Sequence, residues 1–204
     1  MKKILTLLFV LLVPYVVFSQ SAKEMEEAIE GKYTVDNRGN VTFSKVIELP
    51  GVSKEVIFTR AENFFTYYYN DAKSVIQTKD IERGLIVGKG KYGEVHRGIS
   101  FGSATTVDTW HIIRVDVQEG RARIIVSLTE YTKARVVNGG APIYDRTNVC
   151  DEYPINKKGG SKTVMMKAFY KSYLHAQISL DNLEASLRNA NENQAGDISE
   201  SEDW

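Results

Sequence analysis

Residues 106–131 read TVDTWHIIRVDV, then QEG, then RARIIVSLTEY. Two runs rich in β-branched residues flank Glu119-Gly120. This pair suits a two-residue hairpin loop, because glycine adopts a positive φ without steric penalty. If the loop is that tight, Gln118 faces Arg121 and every further pair keeps the same sum of residue numbers. The stretch therefore predicts an antiparallel β-hairpin with a fixed register.

That register divides the side chains of the hairpin between two faces. One face holds four pairs dominated by apolar residues: Val117–Ala122, Val115–Ile124, Ile113–Val126 and His111–Leu128. The other face pairs Asp116 with Arg123, Trp110 with Thr129 and Asp108 with Tyr131. A sheet with one buried face requires such a division, and a register slip of one residue would destroy it.

The rest of the chain predicts further strands and two helices. A first strand covers Val41–Leu49, and two more cover residues 73–80 and 83–95. Ser53 is a suitable N-cap for a helix within residues 53–72, whose apolar face is formed by Ile57, Ala61, Phe64, Phe65 and Tyr68. A long helix from Ser161 to Leu187 repeats apolar residues every three or four positions.

The predicted fold class is α+β, with the order β-α-β-β-β-β-α. An antiparallel sheet of about five strands with two helices on one face would bury the observed patterns. The single domain spans residues 41–187. Within it, residues 132–160 have several glycines and prolines and no clear periodicity, which predicts an irregular loop segment.

The ends of the chain are expected to lie outside this domain. Lys2 and Lys3 precede an apolar run from Ile4 to Phe18, which is shorter than the roughly 20 residues that a spanning helix needs. Residues 1–19 are therefore predicted to be a cleaved signal peptide, with an uncleaved anchor as the alternative. Residues 20–40 form a polar lead with a turn at residues 37–40, and residues 188–204 form an acidic, disordered tail.

Charge and cysteine content limit the partners and the location. The chain carries 26 basic and 26 acidic residues, so it has no general attraction for nucleic acid. Cys150 is the only cysteine and does not follow the cleavage site, which excludes a lipidated cysteine there. We expect a periplasmic or secreted protein that does not span the membrane once processed.

The chain resembles an exported Bacteroidetes family of unknown function with a TATA-binding-protein-like fold. The segments that carry the resemblance are KVIELPGVSKEVIFTRAENFF, the Asp80–Gly90 stretch that ends LIVGKG, and the final helix behind an N-terminal signal ending FSQ. The resemblance covers about residues 41–187. It implies a fold and an exported location but no catalytic residues, and the fold name implies nothing about DNA binding.

Residues 88–95 read GKGKYGEV, which fills the fixed positions of the glycine-rich loop of protein kinases. A kinase also needs a lysine on the next strand and the H-R-D and D-F-G motifs, and none of these is present. We therefore interpret Gly88, Gly90 and Gly93 as strand glycines that leave room for helix side chains or permit a bulge. No nucleotide or other cofactor is expected.

Catalytic and metal sites are not predicted. Cys150 stands beside Asp151 and Glu152, whose charges would raise the pKa of its thiol. The histidines at 96, 111 and 175 lack the close spacing of zinc ligands. His111 is expected to be a core histidine with its hydrogen bonds satisfied, and His175 is expected to be solvated.

The second face of the hairpin is the predicted binding surface. Its candidate residues are Trp110, Ile112, Arg114, Ile125 and Tyr131. If both helices cover the first face, this aromatic and apolar stripe faces outward, unless the polar lead or residues 132–160 fold across it. The leading hypothesis is a non-catalytic exported domain that binds a cell-envelope protein or a small ligand. The alternatives are a periplasmic hydrolase acting through residues 132–160 and a homodimer formed through the final helix.

Overall fold

The computed structural model describes residues 20–69, 75–100 and 102–189. Three α-helices occur in this part of the chain: α1 (Ala22–Ile29), α2 (Lys54–Tyr68) and α3 (Lys162–Arg188). The strands are β1 (Thr34–Val35), β2 (Val41–Glu48), β3 (Ile76–Asp80), β4 (Leu85–Ser100), β5 (Ser103–Gln118), β6 (Arg121–Val137) and β7 (Ile143–Asn148). A single 3₁₀ turn at Val149–Asp151 follows β7.

All seven strands belong to one antiparallel sheet with the order β1-β2-β6-β5-β4-β3, and β7 pairs with the distal half of β6. The α+β class is confirmed, with two strands more than predicted. The hairpin is confirmed from Gln118–Arg121 to His111–Leu128, in the predicted register. Gly120 in its loop has a φ of 69°, which is the reason that a glycine is needed there.

A β-bulge changes the register beyond His111. Trp110 pairs with Glu130 and Thr109 with Tyr131, so Thr129 is the extra residue on β6. The predicted pairs Trp110–Thr129 and Asp108–Tyr131 are therefore wrong by one position. Because side chains alternate along a strand, the bulge also exchanges the faces on which the later residues of β6 lie.

The helices all lie on one face of the sheet, which we call the inner face. Phe65 of α2 and Phe169 of α3 are completely buried there, in one core cluster with Ile113, Ile124 and Val126. The short helix α1 adds Met25 and Ile29 to this core and begins with a capping box between Ser21 and Glu24. The sheet and helices thus form two layers around one core.

Two glycines of β4, Gly88 and Gly90, leave room for side chains of the helical layer, as predicted. A Cβ atom at Gly88 would lie 2.5 Å from Cε1 of Phe65, and one at Gly90 would lie 2.8 Å from Cε1 of Tyr69. Nothing lies within 4 Å of a Cβ at Gly93, which falls in the irregular stretch of β4 between Tyr92 and His96. The kinase-like pattern is therefore a strand that passes closely under α2.

Two predicted segments are more regular than expected. The polar lead contains α1 and β1, although its turn at residues 37–40 is present, with Asn40 accepting at its carbonyl from the Asp36 N–H. Residues 132–160 are not irregular throughout, since they continue β6 to Val137 and then form β7. The predicted signal peptide and residues 190–204 of the predicted tail lie outside the described residues. No helix in the described ranges is long and apolar enough to cross a membrane.

Candidate binding surface

The outer face of the sheet is open throughout the described part of the chain. Residues 149–160 lie on the inner side of the sheet. There Glu152 forms an ion pair with Lys133, and the Tyr153 hydroxyl donates a hydrogen bond to Glu26 of α1. Neither the polar lead nor residues 138–160 cover the outer face. Trp110, Ile112 and Ile125 are accordingly half-buried and Arg114 is exposed, whereas their neighbours on the inner face are completely buried.

Trp110 is fixed across two strands of this face. Its indole Nε1 donates a hydrogen bond of 3.1 Å to the hydroxyl of Thr132 on β6. The ammonium group of Lys89 on β4 lies 5.0 Å from the centre of the indole ring, within the range of a cation–π contact. The ring is therefore held in one orientation while part of it stays accessible to a ligand.

An ion pair borders Trp110 on the β4 side. Asp108 accepts a hydrogen bond of 2.7 Å from Lys91 and another of 2.9 Å from the backbone N–H of Glu94. Burial raises the pKa of Asp108, but these hydrogen bonds outweigh it and hold the pKa below its usual value. Asp108 is therefore a fixed anion at neutral pH.

A second charge network lies on the same face, between Trp110 and the loop that joins β5 and β6. Asp116 bridges Arg114 and Arg123, with distances of 2.7 Å and 2.8 Å to the two guanidinium groups. Burial opposes the ionised form of Asp116, but hydrogen bonds from both arginines keep its pKa low. The cations of this face are thus partly neutralised by carboxylates, which does not favour a polyanionic ligand such as nucleic acid.

Four of the five candidate residues lie on the outer face, and Tyr131 does not. The bulge at Thr129 turns Tyr131 to the inner face, where it is completely buried opposite Thr109. Thr109 is also buried and bonds to Ser172 of α3 at 2.7 Å. The prediction that Tyr131 faces outward is therefore wrong, and Tyr131 is a core residue.

The other wall of the cleft beside Trp110 was not predicted from the sequence. The cleft has a volume of about 540 Å³, and its lining includes Thr132, Tyr144 and Arg146. Tyr144 on β7 is 67% exposed. Strand β7 is mostly polar and exposed, so no apolar alternation indicated it, and the flanking Gly-Gly-Ala-Pro sequence favoured a loop.

The histidines form part of the inner packing. His111 is buried, and its Nε2 lies 2.8 Å from the Tyr69 hydroxyl, while Nδ1 has no hydrogen-bond partner within the described residues. Burial lowers the pKa of His111 to about 3. The ring of Tyr92 stacks between His111 and His175, so His175 is half-buried and not solvated as predicted. His111 is a core histidine, but only one of its two ring nitrogens is satisfied.

The surroundings of Cys150 do not form a catalytic centre. Its thiol hydrogen-bonds to Asp151 at 3.7 Å and lies close to Gly39. Burial and the charge of Asp151 raise the thiol pKa, so the prediction that acidic neighbours raise it is confirmed. Within the described ranges, no group of three or more histidine, cysteine or acidic side chains is placed to hold a metal ion.

Comparisons with known proteins agree with this architecture. Residues 43–132 match the model of a family described as a domain of unknown function (DUF4468) with TBP-like fold. The crystal structure of a TBP-like protein from Parabacteroides distasonis matches with a TM-score of 0.57 at 15% identity, covering 77% of this chain and 97% of that one. A DUF4468 family protein from Bacteroides ovatus matches with a TM-score of 0.49 at 13% identity, covering 76% and 91%. No curated protein matches the sequence. The first structural match shows a shared fold.

Proposed function

We propose that this chain, whose residues 43–132 match the model of the DUF4468 family with a TBP-like fold, is an exported, non-catalytic binding domain. The binding surface is the outer face of the sheet, with Trp110, Ile112, Arg114 and Ile125 as its contact residues. The partner is a cell-envelope protein or a small ligand. A fold of this kind does not define a function, so the proposal depends on the surface itself.

The observation that carries the proposal is the exposure of an oriented tryptophan on an uncovered sheet face. Trp110 is anchored by Thr132 and Lys89 and stands at the edge of the cleft that Tyr144 and Arg146 also line. Aromatic and arginine side chains are the residues that dominate binding energy at protein interfaces. Residues that only stabilise the fold would not need to present these groups to solvent.

The charges around the cleft support a mixed polar and apolar ligand. Lys91 is paired with Asp108, and Arg114 and Arg123 share Asp116. Arg146 has no ion-pair partner among the described residues, so it is available to a carboxylate. The exported location follows from the N-terminal apolar run and stays a prediction.

The hydrolase alternative has no comparable support. Cys150 has no histidine among its hydrogen-bond partners in the described ranges, and its raised pKa opposes thiolate formation. A homodimer through α3 also stays a prediction. Light scattering of the protein at several concentrations tests it.

The experiment for the proposed function compares two aromatic substitutions. Trp110→Ala should leave the fold intact and abolish association with the cell-envelope partner. Tyr67→Ala is the matched control, because Tyr67 is 69% exposed on the helical layer, away from the outer face. Identical partners recovered with folded Trp110→Ala protein would refute the proposal.

A further inference from the structure

The upper part of β4 forms a free edge of the sheet. β3 pairs with β4 only as far as Gly88, whereas β5 pairs with β4 up to Ser100. From Lys89 onward, β4 has no strand on its other side within the described chain. Strands of this kind expose backbone groups that can pair with another chain.

The register identifies which residues of β4 offer these groups. Ser100 and Ser103 are the last paired residues of β4 and β5, and a hairpin that closes at such a pair has its backbone hydrogen bonds there. Alternation then turns the N–H and C=O groups of Arg97 and Ile99 away from β5. The Ile99 side chain is 77% exposed at the same edge.

Helix α3 places a positive stripe beside this edge. Lys171 donates from Nζ to the backbone carbonyl of Glu94 at 3.0 Å, which fixes this stripe of α3 against β4. Lys167 lies one turn before Lys171 on the same side of the helix. Burial lowers the pKa of His96 on β4, and the charges of Lys167 and Lys171 lower it further. Both lysines therefore lie near His96, beside this edge.

Carboxylates are scarce at this edge. Glu94 forms its ion pair with Arg97 at 3.6 Å, and neither Lys167 nor Lys171 has an ion-pair partner among the described residues. Leu174 and Ile178 lie on the same side of α3 as these lysines and are 42% and 49% exposed. The edge therefore presents backbone groups, cations and apolar side chains together.

We propose that the free edge of β4 at Arg97–Ile99 binds an extended acidic segment of a partner protein by strand addition, with Lys167 and Lys171 contacting its carboxylates. Main-chain hydrogen bonds would supply affinity, and charge would select the partner. A second copy of this chain is a poor occupant, because edge-to-edge pairing would bring two sets of these cations together. This surface is distinct from the Trp110 cleft, and the inference does not depend on the proposed function.

The test uses the whole protein and a fluorescent nonapeptide that alternates glutamate and valine. Anisotropy should show saturable binding that weakens with salt, and the amide resonances of Arg97 and Ile99 should shift. A peptide that alternates lysine and valine should not bind. Replacing both lysines, Lys167→Gln with Lys171→Gln, should weaken binding about tenfold, as expected for two exposed ion pairs.

Two further variants separate strand addition from attraction of charge alone. Ile99→Pro removes an outward N–H at an edge position that tolerates proline, so it should weaken binding without unfolding the protein. Lys23→Gln with Lys32→Gln removes the same charge near α1 and should leave binding unchanged. Absence of binding, binding without shifts at Arg97 and Ile99, or equal binding of the lysine peptide would each overturn the inference. A dimer in light scattering that Ile99→Pro converts to a monomer would also overturn it.

Discussion

Tyr131 is the cross-strand partner of Thr109, and both side chains are completely buried beneath α3. This pairing exists because the bulge at Thr129 moves Tyr131 from the outer face to the inner one. The same bulge leaves Trp110 opposite Glu130 and directs its indole toward Thr132. One inserted residue thus separates the two aromatic side chains, one into the core and the other onto the candidate binding surface.

The separation predicts opposite consequences for two alanine substitutions. Tyr131→Ala should lower the free energy of unfolding by about 3–5 kcal/mol, the usual range for removing a large buried aromatic side chain. Trp110→Ala should lower it by only about 1–2 kcal/mol, because the indole is half-buried. Urea denaturation of both variants measures the difference. Equal losses would mean that the two residues lie in similar environments.

The glycines of β4 provide a second matched pair. Gly88→Ala should destabilise the protein by about 1–3 kcal/mol, because the new methyl group would overlap the buried ring of Phe65. Gly93→Ala meets no atom within 4 Å and should change stability by less than about 0.5 kcal/mol. Thermal denaturation of the two variants tests this, and a neutral Gly88→Ala would contradict the close packing of α2 on β4.

The burial of His111 predicts a loss of stability in mild acid. The folded-state pKa is about 3 against an ordinary value of 6.5, so the unfolded chain binds the proton first as the pH falls. The contribution of neutral His111 is fully present above pH 6.5 and is lost progressively toward pH 3, with a slope approaching about 1.4 kcal/mol per pH unit. Denaturation between pH 7 and pH 5 should show this slope, measured before the carboxylates begin to titrate.

A pair of histidine variants isolates this effect. His111→Gln keeps a polar partner for Tyr69 but cannot titrate, so the slope between pH 7 and pH 5 should largely disappear. His96→Gln removes a more exposed histidine, whose pKa burial also lowers, and should retain most of the slope. A slope unchanged in His111→Gln would show that His111 is not the group responsible.

The sequence predicted the half of the hairpin next to its loop and the inner face of the sheet. Those predictions rest on the strict alternation of apolar and polar residues along β5 and β6, which places pairs such as Ile113–Val126 on the buried face. The bulge could not be predicted, because Thr129, Glu130 and Tyr131 are each acceptable on either face of a regular strand. Contacts distant in sequence accompany it, including the 2.7 Å hydrogen bond between Thr109 and Ser172.

Strand β7 and helix α1 were not predicted from the sequence either. Strand β7 is mostly polar and exposed, and a strand with little burial need not show an apolar period. Helix α1 did have a local signal, since Ser21 and Glu24 form a capping box and Met25 and Ile29 lie one turn apart. The stacking of His175 on Tyr92 joins residues far apart in the chain, which local polarity could not indicate.

The most direct measurement places a photo-crosslinking amino acid at position 110 in the cells that make the protein, with the same amino acid at position 67 as the control. If the outer face is the binding surface, irradiation yields a defined covalent adduct from position 110 and none from position 67. Adducts of equal yield from both positions, or from position 67 alone, would contradict the assignment of the outer face.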